Sequence, residues 1–404
     1  MEEKEMEEGG RGEMKVASST LKKCLSCKCV SYCNKSCQKE DWTRCHKQDC
    51  KALKRIHPKV PGDLVQLLSQ VIRKQRKSAP CTTDDEDYFP TTVDQLESHH
   101  EKLTDTRRNE FENLLFPLKQ FIEPDVFAEP SSLLKIFGAA NCNNFTLCDN
   151  DLNFVAIGIY LRASMANHSC DYNCVVVYDE RKLQLRTIKD VKEGEECTIG
   201  YLSVMEPAKE RQAELEEEYH FTCECVKCVE EINALGPGDG LGELELRGLK
   251  KSLEKMQAAE NSQDILLLEL CKPYLKPMDL SSSIPANHHL LMKVRFRAFG
   301  VYMLSQEFDK AAEIGKLNTE PYRFHYGPYS PGLGLYLLRI GKLLLSLKRI
   351  PEARKYLTEA LSVLEVTHGP HHSLMKTESM QELLLRCRFP EGHPIWLNNS
   401  RISL

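Results

Sequence analysis

Three thiols and an imidazole fall within about thirty residues of one another, as Cys24-x2-Cys27 and His46-x3-Cys50. That is the tetrahedral donor set a structural zinc ion takes, at spacings that suit a knuckle and one helical turn. Four further cysteines, Cys29, Cys33, Cys37 and Cys45, lie between them, and Cys33-x3-Cys37 again sets two thiols one helical turn apart. A second cluster, Cys223-x-Cys225-x2-Cys228, supplies three thiols, one too few for a closed zinc site, so a fourth ligand has to come from elsewhere in the chain. An incidental or redox-active triad is the alternative reading. The chain holds 18 cysteines and shows no apolar signal segment at its start. Tight clusters without secretion favour metal thiolates over disulfides and a reducing compartment, the cytoplasm, the nucleus or both.

At 404 residues, with 41% hydrophobic and 28% charged content, the chain suits two or three soluble domains. No apolar run approaches the roughly 20 residues of a membrane span. The net charge of −5 is unevenly spread. Lys15 to Lys77 carry a strong excess of Lys and Arg, so the remainder is markedly acidic. The basic block is a solvated positive face, or faces an acidic partner or nucleic acid by simple charge; no interleaved aromatics offer a stacking platform.

The elements that must position the cysteines follow from patterning. Leu64, Leu67, Leu68, Val71 and Ile72 recur at helical spacing, an acidic loop runs from Ala79 to Pro90, and a second helical stretch is expected from about Val93 to Ile122. From about Ala139 to Tyr201 the pattern turns to strands. Cys174-Val-Val-Val-Tyr178 and Leu183 to Ile188 form a hairpin around a polar turn, and Gly194 to Tyr201 leads into another strand. Pro207 to Tyr219 is a charged helix delivering the chain to the second cluster, and Gly236 to Gly242 is a Gly/Pro-rich linker. Beyond it, Phe308-Asp-Lys-Ala-Ala312 and Ile350-Pro-Glu-Ala353 each open a helix about 42 residues apart. This suggests a degenerate tetratricopeptide array, whose usual period is about 34, or a generic helical bundle.

The run Cys24-x2-Cys27-x5-Cys33-x3-Cys37, followed by Gln-Lys-Glu-Asp-Trp42 and His46-x3-Cys50, resembles the MYND zinc finger. Asn143-Asn144-Phe145-Thr146, Asn167-His168-Ser169-Cys170 with Asp171-x-Asn173-Cys174, Gly194-Glu-Glu196 through Tyr201, and Tyr219-x-Phe221 resemble pieces of the SET domain in order. Together they make the chain similar to the SET-and-MYND family of protein-lysine methyltransferases over about residues 21 to 390. The resemblance implies an α+β fold, a β-rich SET core with an inserted MYND finger, a post-SET zinc segment and a helical, TPR-like C-terminal domain. The expected divisions are a tail at 1–20, the finger at 21–52, a helical insertion at 53–137, the SET core at 138–205, the post-SET segment at 206–235 and the helical domain at 236–404.

By the same resemblance Cys170 completes the zinc site of Cys223, Cys225 and Cys228. Tyr201 has its hydroxyl near the transferring methyl, and Tyr219 and Phe145 line the lysine channel. Asn167, His168, Phe221 and Glu97 hold S-adenosylmethionine. Cys33 and Cys37 correspond to half of a second MYND site whose partner cysteines would precede Cys24. Either they are free thiols, or Cys29 and Cys45 complete the site. The span from Cys37 to His46 is one residue longer than the family's, an asparagine expected two positions after Glu97 is His99, and Tyr172 replaces a usual proline. Family SET domains also begin with a strand pair carrying a Gly-x-Gly cofactor segment before the finger. Here Gly9-Gly-Arg-Gly12 lies in an acidic tail, and weak or lost cofactor binding is the expectation. The implied activity is methylation of histone or other protein lysines by a monomer in nucleus and cytoplasm. Proline-rich peptides and weak DNA contact are implied for the finger, and a catalytically inactive zinc-and-helix scaffold is the rival reading.

Overall fold

The structure is a computed structural model, which describes residues 21–77, 90–149, 153–179, 181–233, 243–258, 264–275 and 284–397. The expected tail, most of the acidic loop and the Gly/Pro linker lie outside the described residues. The chain divides into two compact units, one of Met1–Ala166 with Leu215–Phe221, the other of Asn167–Glu214 with Thr222–Leu404. No described helix is long and apolar enough to cross a membrane.

The first unit opens with a minimal hairpin, β1 (Lys22–Lys23) against β2 (Ser31–Tyr32). Its turn is a cysteine knuckle: Cys24 N–H donates to Val30 O at 2.8 Å, and Lys28 adopts a left-handed φ of 59°. Asn34 caps the helix Lys35–Asp41 by accepting from Cys37 N–H. That helix continues through a π turn, Trp42–His46, into the helix Lys47–Ile56. A π turn takes up more residues than an α turn. It turns the chain so that His46 and Cys50 are both buried. Three helices then pack around Phe111, Phe121, Phe137 and Leu133: Asp63–Lys77, Asp105–Phe121 and Pro130–Asn143. Arg73, almost wholly buried, ties the first of them to the end of the second and to the helix Lys47–Ile56. It donates to Asp49 Oδ1 at 2.5 Å, to Glu123 Oε2 at 3.2 Å and to Phe121 O at 2.9 Å.

Two expectations are corrected here. The stretch from Val93 is not one helix: a single 3-10 turn, Val93–Gln95, is followed by irregular chain until Thr104, whose hydroxyl accepts from Arg107 N–H and starts the helix Asp105–Phe121. The helix Pro130–Asn143 also runs past Ala139, so strand structure begins only at Asn144. There β3 (Asn144–Cys148) pairs antiparallel with β4 (Phe154–Ile159), setting Phe145 opposite Gly158.

In the second unit the predicted hairpin is present as β5 (Cys174–Asp179) against β6 (Lys182–Thr187), with Val175 and Val177 buried. Gly194 to Tyr201 does not form a strand; only Ile199 makes a bridge, parallel, to His168. A side chain takes part of the pairing between main-chain bonds. Asn173 Nδ2–H donates to Glu196 O at 2.8 Å, and Asn173 Oδ1 accepts from Thr198 N–H at 2.9 Å, so bonds a neighbouring strand would make are already taken.

The C-terminal helices bear out the 42-residue offset. Helices His289–Leu304 and Phe308–Leu317 are joined through Gln306 with φ 58°, and helices Pro331–Ser346 and Ile350–Thr367 through Lys348 with φ 60°. Glu307 N–H donates to Tyr302 O and Arg349 N–H to Leu344 O, each at 2.9 Å, so the two turns repeat bond for bond. Within the second hairpin, Gly334 and Gly341 form a stripe where the helices nearly touch. A Cβ at 341 would stand 2.7 Å from Leu357 Cδ2 and 3.1 Å from its main-chain nitrogen. Backbone cannot yield as a side chain can. Gly341→Val is therefore expected to destabilise the chain by about 1–3 kcal/mol, read as a lowered denaturation midpoint; an unchanged midpoint would refute this packing.

Candidate functional site

Two groups of metal-type ligands converge among the described residues. In the first, Cys24, Cys27, His46 and Cys50 are all buried, with their ligand atoms within 4.8 Å of one another. Cys24 Sγ lies 3.7 Å from Cys50 Sγ, and Cys27 Sγ 3.7 Å from His46 Nε2. A tetrahedral ion with metal–sulfur bonds of about 2.3 Å spaces its sulfurs by about 3.8 Å, so the pocket has the dimensions of zinc. The thiols themselves ask for a cation. Burial pushes Cys50 up, whereas in Cys24 hydrogen bonds from the Cys27 main chain and His46 outweigh burial and pull it down. Two sulfurs this close cannot both ionise unless positive charge sits between them.

In the second group Cys170 joins Cys223, Cys225 and Cys228, again within 4.8 Å. The fourth ligand implied by resemblance is thus in place. Cys33 and Cys37 sit on the exposed side of the finger with sulfurs 3.0 Å apart. Cys29 and Cys45 turn elsewhere, to Cys27 O and to Asp41 Oδ1, and no third converging group forms among the described residues.

The cofactor and substrate candidates fall in two sets. The second unit holds Asn167, His168 and Tyr201. Residues 167–174 are zipped to 196–201 by alternating bonds. Ile199 N–H donates to Asn167 O, Ser169 N–H to Ile199 O and Cys174 N–H to Thr198 O, at 2.9 to 3.1 Å. Asn173 adds its two side-chain bonds, and Tyr201 N–H donates to His168 Nδ1 at 2.9 Å. The His168 ring lies 5.2 Å from that of Tyr201 and turns Nε2 toward Cys170 Sγ at 3.2 Å. Burial, aided by the Arg211 cation, pushes His168 down to about 4, so the ring is neutral at pH 7. Asn167 is exposed, its amide donating to Glu196 Oε1 at 2.6 Å. Gly200 packs closely against Tyr172: a Cβ there would lie 3.0 Å from its ring, which would have to give way.

The first unit holds Glu97, Phe145, Tyr219 and Phe221. Glu97 is exposed. Main-chain N–H groups of His99 and Ser98 donate to its carboxylate and hold it below the usual carboxylate range. This segment lies directly on the helix Pro130–Asn143: a Cβ at Gly138 would collide with Ser98 O at 2.3 Å, and Asn143 Nδ2–H donates to Glu97 O at 2.8 Å. Tyr219 and Phe221 flank His220, whose φ of 60° is left-handed, as is that of His99 at 43°, and the two imidazoles meet edge to face at 5.0 Å. Left-handed non-glycine residues gathered in one place mark a backbone held under constraint. Arg107 donates to the Glu218 carboxylate and fixes the approach to Tyr219. Phe145 packs edge-on to Tyr160 at 5.9 Å.

Two residues that matter to this geometry were not singled out from sequence for a role. Asn173 was noted only as a motif position. Arg211, in the helix Ala208–Tyr219, reads as one more charge on a charged helix, yet it is fully buried beside Cys170 and Cys228.

A SET-domain family model matches residues 13–202. Histone-lysine N-methyltransferase SMYD3 of Homo sapiens is 30% identical over 379 residues, covering 92% of this chain and 86% of that protein. N-lysine methyltransferase SMYD2 of Gallus gallus is 28% identical over 366 residues, covering 87% of this chain and 82% of that protein. The human SMYD2 is 29% identical over 377 residues. A SET core, an inserted zinc finger, a cysteine cluster after the SET core and a helical C-terminal domain thus agree with relatives along nearly the whole chain, which belongs to the SMYD family of SET-and-MYND lysine methyltransferases.

Proposed function

We propose that this chain methylates lysine side chains of proteins, histones among them, and that it does so with S-adenosylmethionine. The observation that carries the reading is the zipper that holds Asn167, His168 and Tyr201 in fixed register. When bound, S-adenosylmethionine supplies a methyl group on a sulfonium sulfur. Transfer to a neutral amine needs alignment and dryness rather than a nucleophilic side chain. The main chain and amide of Asn167 and the main chain of His168 suit a polar cofactor. The ionised Glu97 carboxylate suits hydroxyl groups, and the Phe221 ring suits a flat base. Tyr201 offers a hydroxyl oxygen for weak C–H···O contacts. Tyr219 and Phe145 supply aromatic faces that favour a cationic amine. Cys24, Cys27, His46 and Cys50 hold one zinc, and Cys170, Cys223, Cys225 and Cys228 another. Cys33 and Cys37, their sulfurs 3.0 Å apart, offer two thiols to a further MYND site, with no third converging group of ligands among the described residues.

The finger also suits partner recognition. Leu25 stands almost wholly exposed at the knuckle and Trp42 partly so, apolar surface that fits a proline-rich peptide. The basic stretch around it fits a weak, salt-sensitive DNA contact in the nucleus, alongside protein substrates in the cytoplasm.

Calorimetric titration of S-adenosylmethionine into the zinc-replete chain is the direct test. Saturable binding followed by methyl transfer to histone is the outcome this reading requires, against the weak or lost binding that the Gly-x-Gly departure leads the sequence to suggest. A cooperatively melting chain that binds none would sink the enzyme reading and leave the scaffold. Tyr201→Phe is expected to reduce turnover to background while melting point and zinc content hold, and undiminished turnover would remove Tyr201 from the chemistry. Metal analysis should find Cys27→Ser one zinc per chain poorer than the wild type. Equal zinc in both would exclude Cys27 as a ligand.

A further inference from the structure

The zinc-type cluster around Cys170 has a second layer that links it to Tyr201. Arg211 lies between two of its sulfurs, with Nε donating to Cys170 Sγ at 3.2 Å and one terminal nitrogen to Cys228 Sγ at 3.3 Å. The other terminal nitrogen donates to Glu206 O at 2.5 Å and to Glu231 Oε2 at 2.9 Å. This guanidinium is fully buried, so its charge has been taken out of water and must be answered inside the protein. Glu231, partly exposed, answers it from one side only. Four thiolates around a divalent ion carry an excess of negative charge, and a planar fork of donors is the group best shaped to meet two sulfurs at once.

His168 approaches the same sulfur from the other direction. Because Tyr201 N–H donates to Nδ1 at 2.9 Å, Nδ1 is the acceptor and the ring proton belongs on Nε2. Nε2 faces Cys170 Sγ at 3.2 Å, where a thiolate accepts it. One sulfur therefore receives two protein donors, and one of these donors grips the main chain of the tyrosine proposed to act at the methyl.

We infer that Arg211 and His168 are positioning residues that bind the metal thiolate of Cys170 from the protein side, so that the zinc site anchors the main chain of Tyr201. The inference rests on the zinc reading of the Cys170 cluster. Neither residue needs to touch substrate. Metal draws Cys170 toward its three partner cysteines, Arg211 neutralises the sulfurs so that they stay bound, and His168 passes the sulfur's position on to residue 201.

Zinc release from the full chain to a coloured chelator tests this, with Cys225→Ser identifying the phase that belongs to the Cys170 site. Arg211→Met is expected to accelerate that phase by about ten- to a hundredfold and Arg211→Lys by less, because a single ammonium keeps the charge but cannot span both sulfurs. The phase from the Cys24 site should not move. Release from Arg211→Met at the wild-type rate overturns the proposal while the zinc reading stands. If Cys225→Ser loses no zinc, the zinc reading falls and the proposal with it. A measurement on the unmutated chain guards against a variant that fails to fold. With cadmium-113 in place of zinc, scalar correlations are expected from the metal to the Nε2 proton of His168 and the Nε proton of Arg211. Absence of either, with cadmium bound at the Cys170 site, overturns the inference.

Discussion

The molecule depends on a charge constraint: cysteine sulfurs gathered to within 4.8 Å in two largely buried groups can ionise together only around a cation. In the finger the helix Lys35–Asp41 buries none of its residues and the hairpin has two residues per strand, so this half leans on the metal, while Tyr32, Ala52 and Leu53 join the apolar core of the unit. Metal binding is then part of the folding free energy itself. The π turn at Trp42–His46 acquires its meaning from the same constraint. The turn alters only local helix geometry, and His46 reaches the three thiols.

The second cluster works on longer distances. Cys170 is separated from Cys223 by the hairpin, the segment running to Tyr201 and a helix, yet the sulfurs meet. What brings Cys170 there is the zipper between residues 167–174 and 196–201, in which main-chain bonds alternate with those of the Asn173 amide and the His168 imidazole. A side chain that substitutes for a strand fixes one register and one only, since sliding by a residue would strand both ends of the amide.

Much of this was legible in the sequence, and the gaps have physical causes. The Val-rich run at 174–178 and its alternating partner read as a hairpin because both the pattern and the polar turn are local. The CxxC and HxxxC spacings read as zinc for the same reason. Cys170 as fourth ligand was legible only through family resemblance, because no local pattern spans the distance to Cys223. The segment at 194–201 looked like a strand and is not one, since whether backbone groups pair with a strand or with Asn173 is decided by tertiary structure. The start of the helix at Asp105 was misjudged because the apolar pattern upstream continued past its true cap at Thr104. Arg211 was invisible: a basic residue on a helix full of charges reads as solvated, and only its buried neighbours distinguish it.

The paired turns at Gln306 and Lys348 imply something about ancestry. Two connections that repeat bond for bond at a fixed offset are one design used twice. Stacked units of this kind hold together by contacts between adjacent copies. A C-terminal domain built this way lengthens or shortens by whole modules. Its length can therefore change by such modules without disturbing the hairpins that remain.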